Sequence, residues 1–220
     1  MRAGRMPPRE LKHDSLGTIR LVDDGATTAI ERDTRTARRG LRWLARRLAA
    51  REAGALLALR ALPVGVPQLI AFDGSVLRRT ALPGEPLFAG SPPSREFFLR
   101  ALRLVRALHR AGVTHNDLAK EANWLRAAGD TPGLVDFQLA VRSRRRGFWF
   151  RYLAHEDLRH LLKHKLTYVP DALTARQRRM LATRPWPTRL WQAAWKPVYH
   201  TLTRRVLGWR DRVGPIERQR

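Results

Sequence analysis

His115, Asp117 and Asn123 stand close together in Val113-Thr-His-Asn-Asp-Leu-Ala-Lys-Glu-Ala-Asn-Trp-Leu125, and Asp136 follows thirteen residues after Asn123 in Leu134-Val-Asp-Phe-Gln-Leu139. A carboxylate so placed can orient or deprotonate a hydroxyl, and carboxylate and amide oxygens are the donors that a hard cation such as magnesium takes. The chain has no cysteine, which excludes a thiol nucleophile, a thiolate metal site and a disulfide framework, and permits a reducing compartment. Of the seven histidines, His155, His160 and His164 flank a basic helix without carboxylates in a ligand pattern, and we read them as solvated surface residues. Ser91 and Ser94 lack the context of a nucleophile elbow.

The elements that must position these residues are legible in part. Thr18–Val22 and Thr27–Arg32 read as strands joined at Asp23-Asp24-Gly25, a hairpin. A long helical pattern follows from Thr36 to Leu62, with Leu41, Leu44, Ala45, Leu48, Ala55, Leu56 and Leu59 at helical spacing and Arg on the opposite face. Glu52 falls on the apolar face, four after Leu48 and four before Leu56, so its carboxylate points at whatever the helix packs against and needs a partner there. The alternative for Glu52 is a half-exposed residue paired with a neighbouring Arg. Pro63–Pro67 ends the helix, Gln68–Phe72 and Ser75–Thr80 read as two more strands, and the Pro/Gly-rich stretch Leu82–Pro93 is a connector. A second amphipathic helix runs from an N-cap at Ser94 to His109, with Gly112 as its C-terminal stop. The pattern is then irregular through the chemistry-bearing stretches. It becomes helical again at Glu156–Leu166 and at Thr174–Leu181, the latter opened by a capping-box match between Thr174 and Gln177.

With these elements in place, His115-x-Asp117-Leu118, Asn123 and Asp136-Phe137 together resemble the catalytic loop and metal-binding motif of the protein-kinase-like superfamily. His115-Asn116-Asp117-Leu118-Ala119-Lys120-Glu121 looks most like its small bacterial RIO-like and lipopolysaccharide-kinase-like branch, whose members are short and often carry Asn between the His and the Asp. The resemblance spans roughly residues 18–166. It implies a two-lobed α+β fold with a reduced N-terminal lobe, and an ATP- and magnesium-dependent kinase activity of the Ser/Thr-kinase-like kind. Asp117 would be the base, His115 would brace the loop, and Asn123 and Asp136 would hold the metal. In the same family a strand Lys, gripping the nucleotide phosphates, pairs with a Glu on the following helix. Glu52 matches that Glu, and Arg32 stands where the Lys is expected, so the two, as ATP-binding residues, are expected to meet across the cleft as an ion pair.

The chain departs from the general family pattern at four places. Asp117 and Asn123 are six apart where the pattern H-R-D-L-x-x-x-N has five, so the loop must bulge by one residue. No G-x-G-x-x-G precedes the first strands. Gln138 replaces the Gly of D-F-G, and Arg32 replaces a compact ammonium with a planar fork. No A-P-E motif follows, and Arg142–Arg146 begins too soon for a long regulated activation loop. Arg32, Gln138 and the missing glycine loop are what a pseudokinase, a binding or scaffold module without catalysis, would carry. The full set of Asp117, Asn123 and Asp136 is what an enzyme would need.

The chain's 220 residues and 44% hydrophobic content are those of a folding globular protein, and 43 Lys+Arg against 19 Asp+Glu leave a net charge of +24. Residues 142–220 alone hold 20 basic against 5 acidic side chains. Such a field attracts nucleic acid, anionic membrane or phosphorylated substrates without choosing among them, and an Arg-heavy composition can equally reflect genomic base content. The expected organisation is a basic segment 1–17, the N-lobe 18–82, the C-lobe 83–183 and a helical basic tail 184–220 rich in Trp. Trp186, Trp191, Trp195 and Trp209 with Arg204, Arg205, Arg210 and Arg212, and the run Arg144–Arg151 before them, interleave aromatics with cations. That is the pattern of a segment seated on an anionic membrane, or, ranked below it, of a nucleic-acid binder; the structural alternative is tail packing with solvated cations. The expected partner is a hydroxyl-bearing acceptor, a protein or a lipopolysaccharide-type glycolipid. No leader-like apolar stretch or membrane-spanning run is present, so the expected location is cytoplasmic, peripheral at the inner membrane face.

Overall fold

Thr18, Ile19 and Val22 give one strand its β-branched content, and Thr28 and Ile30 do the same for the next. In the computed structural model, which describes residues 8–23, 27–62 and 64–183, they pair as β2 (Gly17–Asp23) and β3 (Thr28–Asp33), antiparallel, with Ile19 opposite Arg32 and Leu21 opposite Ile30. A strand absent from the sequence reading, β1 (Arg9–Asp14), adds to the outer side of β2. Its residues Arg-Glu-Leu-Lys-His-Asp are almost all exposed, which suits a charged edge strand and removes the alternation that would announce it. The helix α1 (Arg42–Ala58) follows, then β4 (Leu69–Phe72) and β5 (Val76–Thr80), which complete a five-stranded sheet of order β1-β2-β3-β5-β4. The sheet therefore has one strand more than the four expected, its first strand lies within the segment expected to precede the fold, and "reduced" does not describe its strand count.

The helix α1 is shorter than the pattern Thr36–Leu62, because residues 34–36 and 39–41 form tighter single turns before it. Its buried side is Ala45, Leu48, Ala49, Glu52, Ala53, Ala55 and Leu56. The N-terminal half of that stripe packs with Leu16 and Ala37 in a small core, while Ala55, Leu56 and Leu59 join the main core.

That main core is built on α2 (Arg95–Arg110). Ser94 accepts from the backbone N–H groups of Glu96 and Phe97, capping the helix as expected, and Phe97, Ala101, Val105 and Leu108 face Trp124, Leu134, Phe137 and Leu161. The chain turns at Gly112, where φ is 76° and a Cβ would come within 2.7 Å of the Ser143 carbonyl oxygen, so only glycine fits. Short strands then frame the chemistry-bearing loops. After β6 (Glu85–Pro86) in the connector come β7 (Val113–Thr114), β8 (Trp124–Ala127), β9 (Thr131–Leu134) and β10 (Val141–Arg142), with β6-β8-β9 as one sheet and β7 paired to β10. The helix α3 (Phe148–Tyr168) starts eight residues ahead of the expected Glu156, and α4 (Ala175–Ala182) carries the expected capping box of Thr174 and Gln177. Among the described residues no helix is long and apolar enough to cross a membrane. The tail 184–220, with its four tryptophans, lies outside the described residues, as does most of the Asp23-Asp24-Gly25 turn.

Candidate functional site

The loop from β7 to β8 carries His115, Asp117 and Asn123, and the turn after β9 carries Asp136. Two backbone-directed bonds tie these segments: the Val135 N–H donates to the Asn123 carbonyl at 3.0 Å, and His115 Nε2 lies 3.0 Å from the Val135 carbonyl oxygen. His115 is fully buried, its ring 4.6 Å from that of Phe137, so it braces the junction and does not reach the open site.

The six-residue separation of Asp117 and Asn123 is spanned by two successive tight turns. Lys120 N–H reaches back to the Asp117 carbonyl at 3.5 Å, and Asn123 N–H to the Lys120 carbonyl at 3.1 Å. The loop is then pinned at Leu118, whose carbonyl oxygen lies 3.0 Å from Trp124 Nε1 and 2.8 Å from His164 Nε2. His164 is thus a buried loop anchor, and His160 has an Nδ1 sealed from solvent that no described residue hydrogen-bonds; neither is the solvated surface residue expected. Burial pushes both imidazoles below the ordinary 6.5, His160 to about 4.

Asn123 Nδ2 donates to both the Asp117 carbonyl and Asp117 Oδ2, each at 2.9 Å, and Lys120 Nζ stands 3.1 Å from the same Oδ2. Burial raises the Asp117 carboxyl above the ordinary 3.8; Asp136 adds to this, while Lys120 and Asn123 oppose it. A carboxylate so tuned is a better proton acceptor than a solvated one. Because the Asn123 amide nitrogen is engaged by Asp117, its Oδ1 is the amide atom left for a cation.

Asp136 takes the left-handed conformation, φ 66° and ψ 66°, which Asp tolerates better than most residues. Gln138 Nε2 donates to Asp136 Oδ1 at 2.7 Å. Burial works to raise the Asp136 carboxyl, but Arg32 and the Gln138 bond outweigh it and hold the group below 3.8, ionised at neutral pH. An ionised Asp136 carboxylate and the Asn123 Oδ1 are hard oxygen donors of the kind magnesium takes.

Glu52 is fully buried, and it meets two guanidinium groups: Arg32 Nε at 3.6 Å and Arg79 Nε at 3.0 Å, both side chains 11% exposed. The strand register explains the pair. In β3 and β5, Arg32 lies opposite Leu77 and Ile30 opposite Arg79, so Arg32 and Arg79 are diagonal neighbours on the sheet face that covers α1. Among the described residues neither Glu52 oxygen makes a hydrogen bond of good geometry, so the contact is an ion cluster and not a bidentate fork. Arg32 also lowers the Asp136 carboxyl electrostatically, which couples this cluster to the loop site.

Where a glycine-rich loop was not found in the sequence, the β1–β2 turn is Asp14-Ser15-Leu16-Gly17. Leu16 is buried against Ala37, Ala45 and Leu48, and its N–H donates to Asp14 Oδ1 at 2.8 Å, so this turn is anchored on α1.

Sequence reading missed three residues here. Besides Arg79 and Lys120, it passed over Asp157 of α3, a buried carboxylate that accepts from the backbone N–H of His115 and of Asn116, each at 2.8 Å, and lies 3.1 Å from His109 Nε2. Asn116 is itself left-handed, φ 66°, and its Nδ2 donates to the Leu139 carbonyl at 2.9 Å. Asp157 and Asn116 together hold the loop against both α3 and the Asp136 turn.

No family model and no curated protein matches the sequence. Among solved structures the chain is similar to the Rio2 kinase from Chaetomium thermophilum, with a TM-score of 0.58 and 16% identity over 87% of this chain and 74% of that one. It is also similar to the ADP/Mg2+-phosphoaspartate complex of the same kinase, with a TM-score of 0.57 and 18% identity over 91% of this chain and 69% of that one. The sheet-rich N-terminal part and helical C-terminal part of this chain have a fold like the protein-kinase-like fold of Rio2.

Proposed function

We propose that the protein is an ATP- and magnesium-dependent phosphotransferase acting on a hydroxyl, of a protein Ser/Thr side chain or a glycolipid sugar. The observation that carries this reading is the Asp117 carboxylate, fixed by Asn123 Nδ2 at 2.9 Å and linked through the Asn123 backbone to the Asp136 turn. Asp117 would orient the acceptor hydroxyl and take its proton. Lys120, beside the same oxygen, would balance charge there. Asp136 and Asn123 Oδ1 would hold magnesium, which when bound offsets the charge of the nucleotide phosphates. Glu52 would keep Arg32 and Arg79 oriented at the phosphate side. The similar Rio2 kinase has been captured with ADP and magnesium, which supports the choice of cofactors.

A second reading, a binding module that keeps the fold without transfer, is favoured by one observation: Gln138 already occupies Asp136 Oδ1. Calorimetric titration of ATP with and without magnesium separates the two, followed by transfer of the γ-phosphate to a generic protein acceptor. Binding that requires magnesium and is lost in Asp136→Ala supports the enzyme. Equal ATP affinity with and without magnesium in both proteins removes Asp136 as a metal ligand. ATP binding that strengthens in Gln138→Gly, without transfer in either protein, supports the module. Protein-bound phosphate released by hydroxylamine would instead mark a carboxylate acceptor, as the Rio2 phosphoaspartate complex brings to mind.

A further inference from the structure

The exposed side of α1 and the segment leading into α3 form one continuous basic face. Trp43, Arg47 and Arg51 share the outer side of α1 at four-residue spacing, all exposed. A shallow depression of about 400 Å³ joins Arg47 and Arg51 to Arg142. A second, of about 620 Å³, joins Arg142 to Arg60, Arg144 and Arg146. A third, of about 500 Å³, joins Arg146 to Arg106, Arg110 and Arg151. Among the described residues, no carboxylate lines any of the three. Two of these cations have structural work, Arg142 donating to the Gly54 carbonyl and Arg146 to the Arg110 carbonyl at helix C-termini. Among the described residues, Arg47, Arg51, Arg60, Arg106, Arg144 and Arg151 have no carboxylate within ion-pair distance.

At the end of this face, Phe148 and Trp149 open α3 with 61% and 67% of their surfaces exposed, beside Arg144, Arg145 and Arg146. Their rings stand edge-to-face, 5.5 Å apart, and Trp149 meets Tyr152 edge-to-face at 6.3 Å. Nucleobase recognition wants an open ring face on which to stack. A knob of rings packed edge-to-face offers apolar volume instead, which is what the headgroup boundary of a bilayer accepts from Trp and Phe, with Arg reaching lipid phosphates around it. We propose that the Arg face running from α1 to the start of α3 docks the folded body on an anionic phospholipid membrane, with Phe148 and Trp149 as the inserted anchor. This docking is independent of phosphoryl transfer.

The test is co-sedimentation of the full chain with vesicles of phosphatidylcholine alone, or with about one third phosphatidylglycerol, at about 0.1 M salt. Binding is expected only to the anionic vesicles. Each exposed Arg near such a surface is worth roughly fivefold in partitioning, so Arg144→Ser/Arg151→Ser should bind about 25-fold more weakly. Phe148→Ser/Trp149→Ser should lose about tenfold or more, with a thermal melt matching the unmodified chain because all four side chains are exposed or partnerless. Wild-type partitioning by both double variants would overturn the proposal and assign any membrane affinity to residues beyond 183. Equal binding to neutral and anionic vesicles would overturn it as well. So would a single-stranded RNA that displaces the chain from vesicles and binds the aromatic variant as tightly as the unmodified protein, because the face would then belong to nucleic acid.

Discussion

Arg79 Nε lies 3.0 Å from Glu52 Oε1, closer to the buried carboxylate than Arg32, whose Nε is 3.6 Å from the other oxygen. One anion therefore holds two nearly buried cations on the inner face of the sheet, and the two arginines are unequal partners.

Removal of the anion should be costly. Glu52→Gln strands two guanidinium groups and is expected to lower stability by about 3–5 kcal/mol and weaken ATP binding. Arg79→Ala leaves Arg32 in place and should cost less, about 1–3 kcal/mol. Arg32→Lys should preserve stability, since Arg79 still holds Glu52, and should keep or raise turnover by placing a point charge beside Asp136. Urea unfolding midpoints and ATP titrations of the three variants check the order; equal losses for Glu52→Gln and Arg79→Ala would refute it.

Asp117→Asn should reduce phosphoryl transfer by roughly 10²–10⁴-fold, with ATP affinity retained, as removal of a general base does. The base acts ionised, so activity should rise through the carboxyl's titration on an acid limb that lies above the ordinary 3.8. Lys120 favours the ionised form. Lys120→Met should therefore shift that limb to higher pH in a pH–rate profile, and a shift to lower pH would count against the assignment.

Asp157→Ala leaves the His115 and Asn116 backbone N–H groups without their acceptor in a buried place. A loss of about 1–3 kcal/mol in unfolding free energy is expected, with transfer reduced more than ATP affinity, because the loop and not the nucleotide side is released. Unfolding and ATP titration carried out well below the melting temperature distinguish the two effects. An unchanged unfolding midpoint would show that the loop does not depend on α3.

His160 titrates near 4 in the folded chain against the ordinary 6.5, and burial lowers His164 in the same direction. Between those values the unfolded chain binds more protons than the folded one. Stability should thus be full above about pH 6.5 and fall as the pH drops towards 4, by up to about 1.4 kcal/mol per pH unit for His160, with His164 adding in the same direction. Asp136 adds a loss only at lower pH: its stabilisation is present above 3.8 and disappears as pH falls through its depressed folded value. Unfolding midpoints from pH 7 to 4.5 should flatten in His160→Gln, and an unchanged slope would exclude His160 as a contributor.

The position of Glu52 on the apolar side of its helix was readable because helical periodicity is local: Leu48 and Leu56 flank it at four-residue spacing. The same holds for the Ser94 cap, the Thr174–Gln177 box and the ordered set His115, Asp117, Asn123 and Asp136. Arg79 was not readable, since its approach to Glu52 depends on β3 and β5 pairing with Ile30 opposite Arg79, and register is a contact between distant segments. The strand β1 escaped for a related reason, as a polar edge strand is specified by the partner it adds to and not by its own alternation. Asp157 carried a usable signal, seven residues after buried Phe150 and four before buried Leu161, but the helix was expected only from Glu156, so its face was undefined. Residue types and spacing along the chain thus determined which groups could do chemistry. Tertiary structure alone decided which of them are buried, which cations share an anion, and how a loop that sets Asn123 six residues after Asp117 folds back to bring the two side chains together, because burial and pairing are properties of segments brought together only by folding.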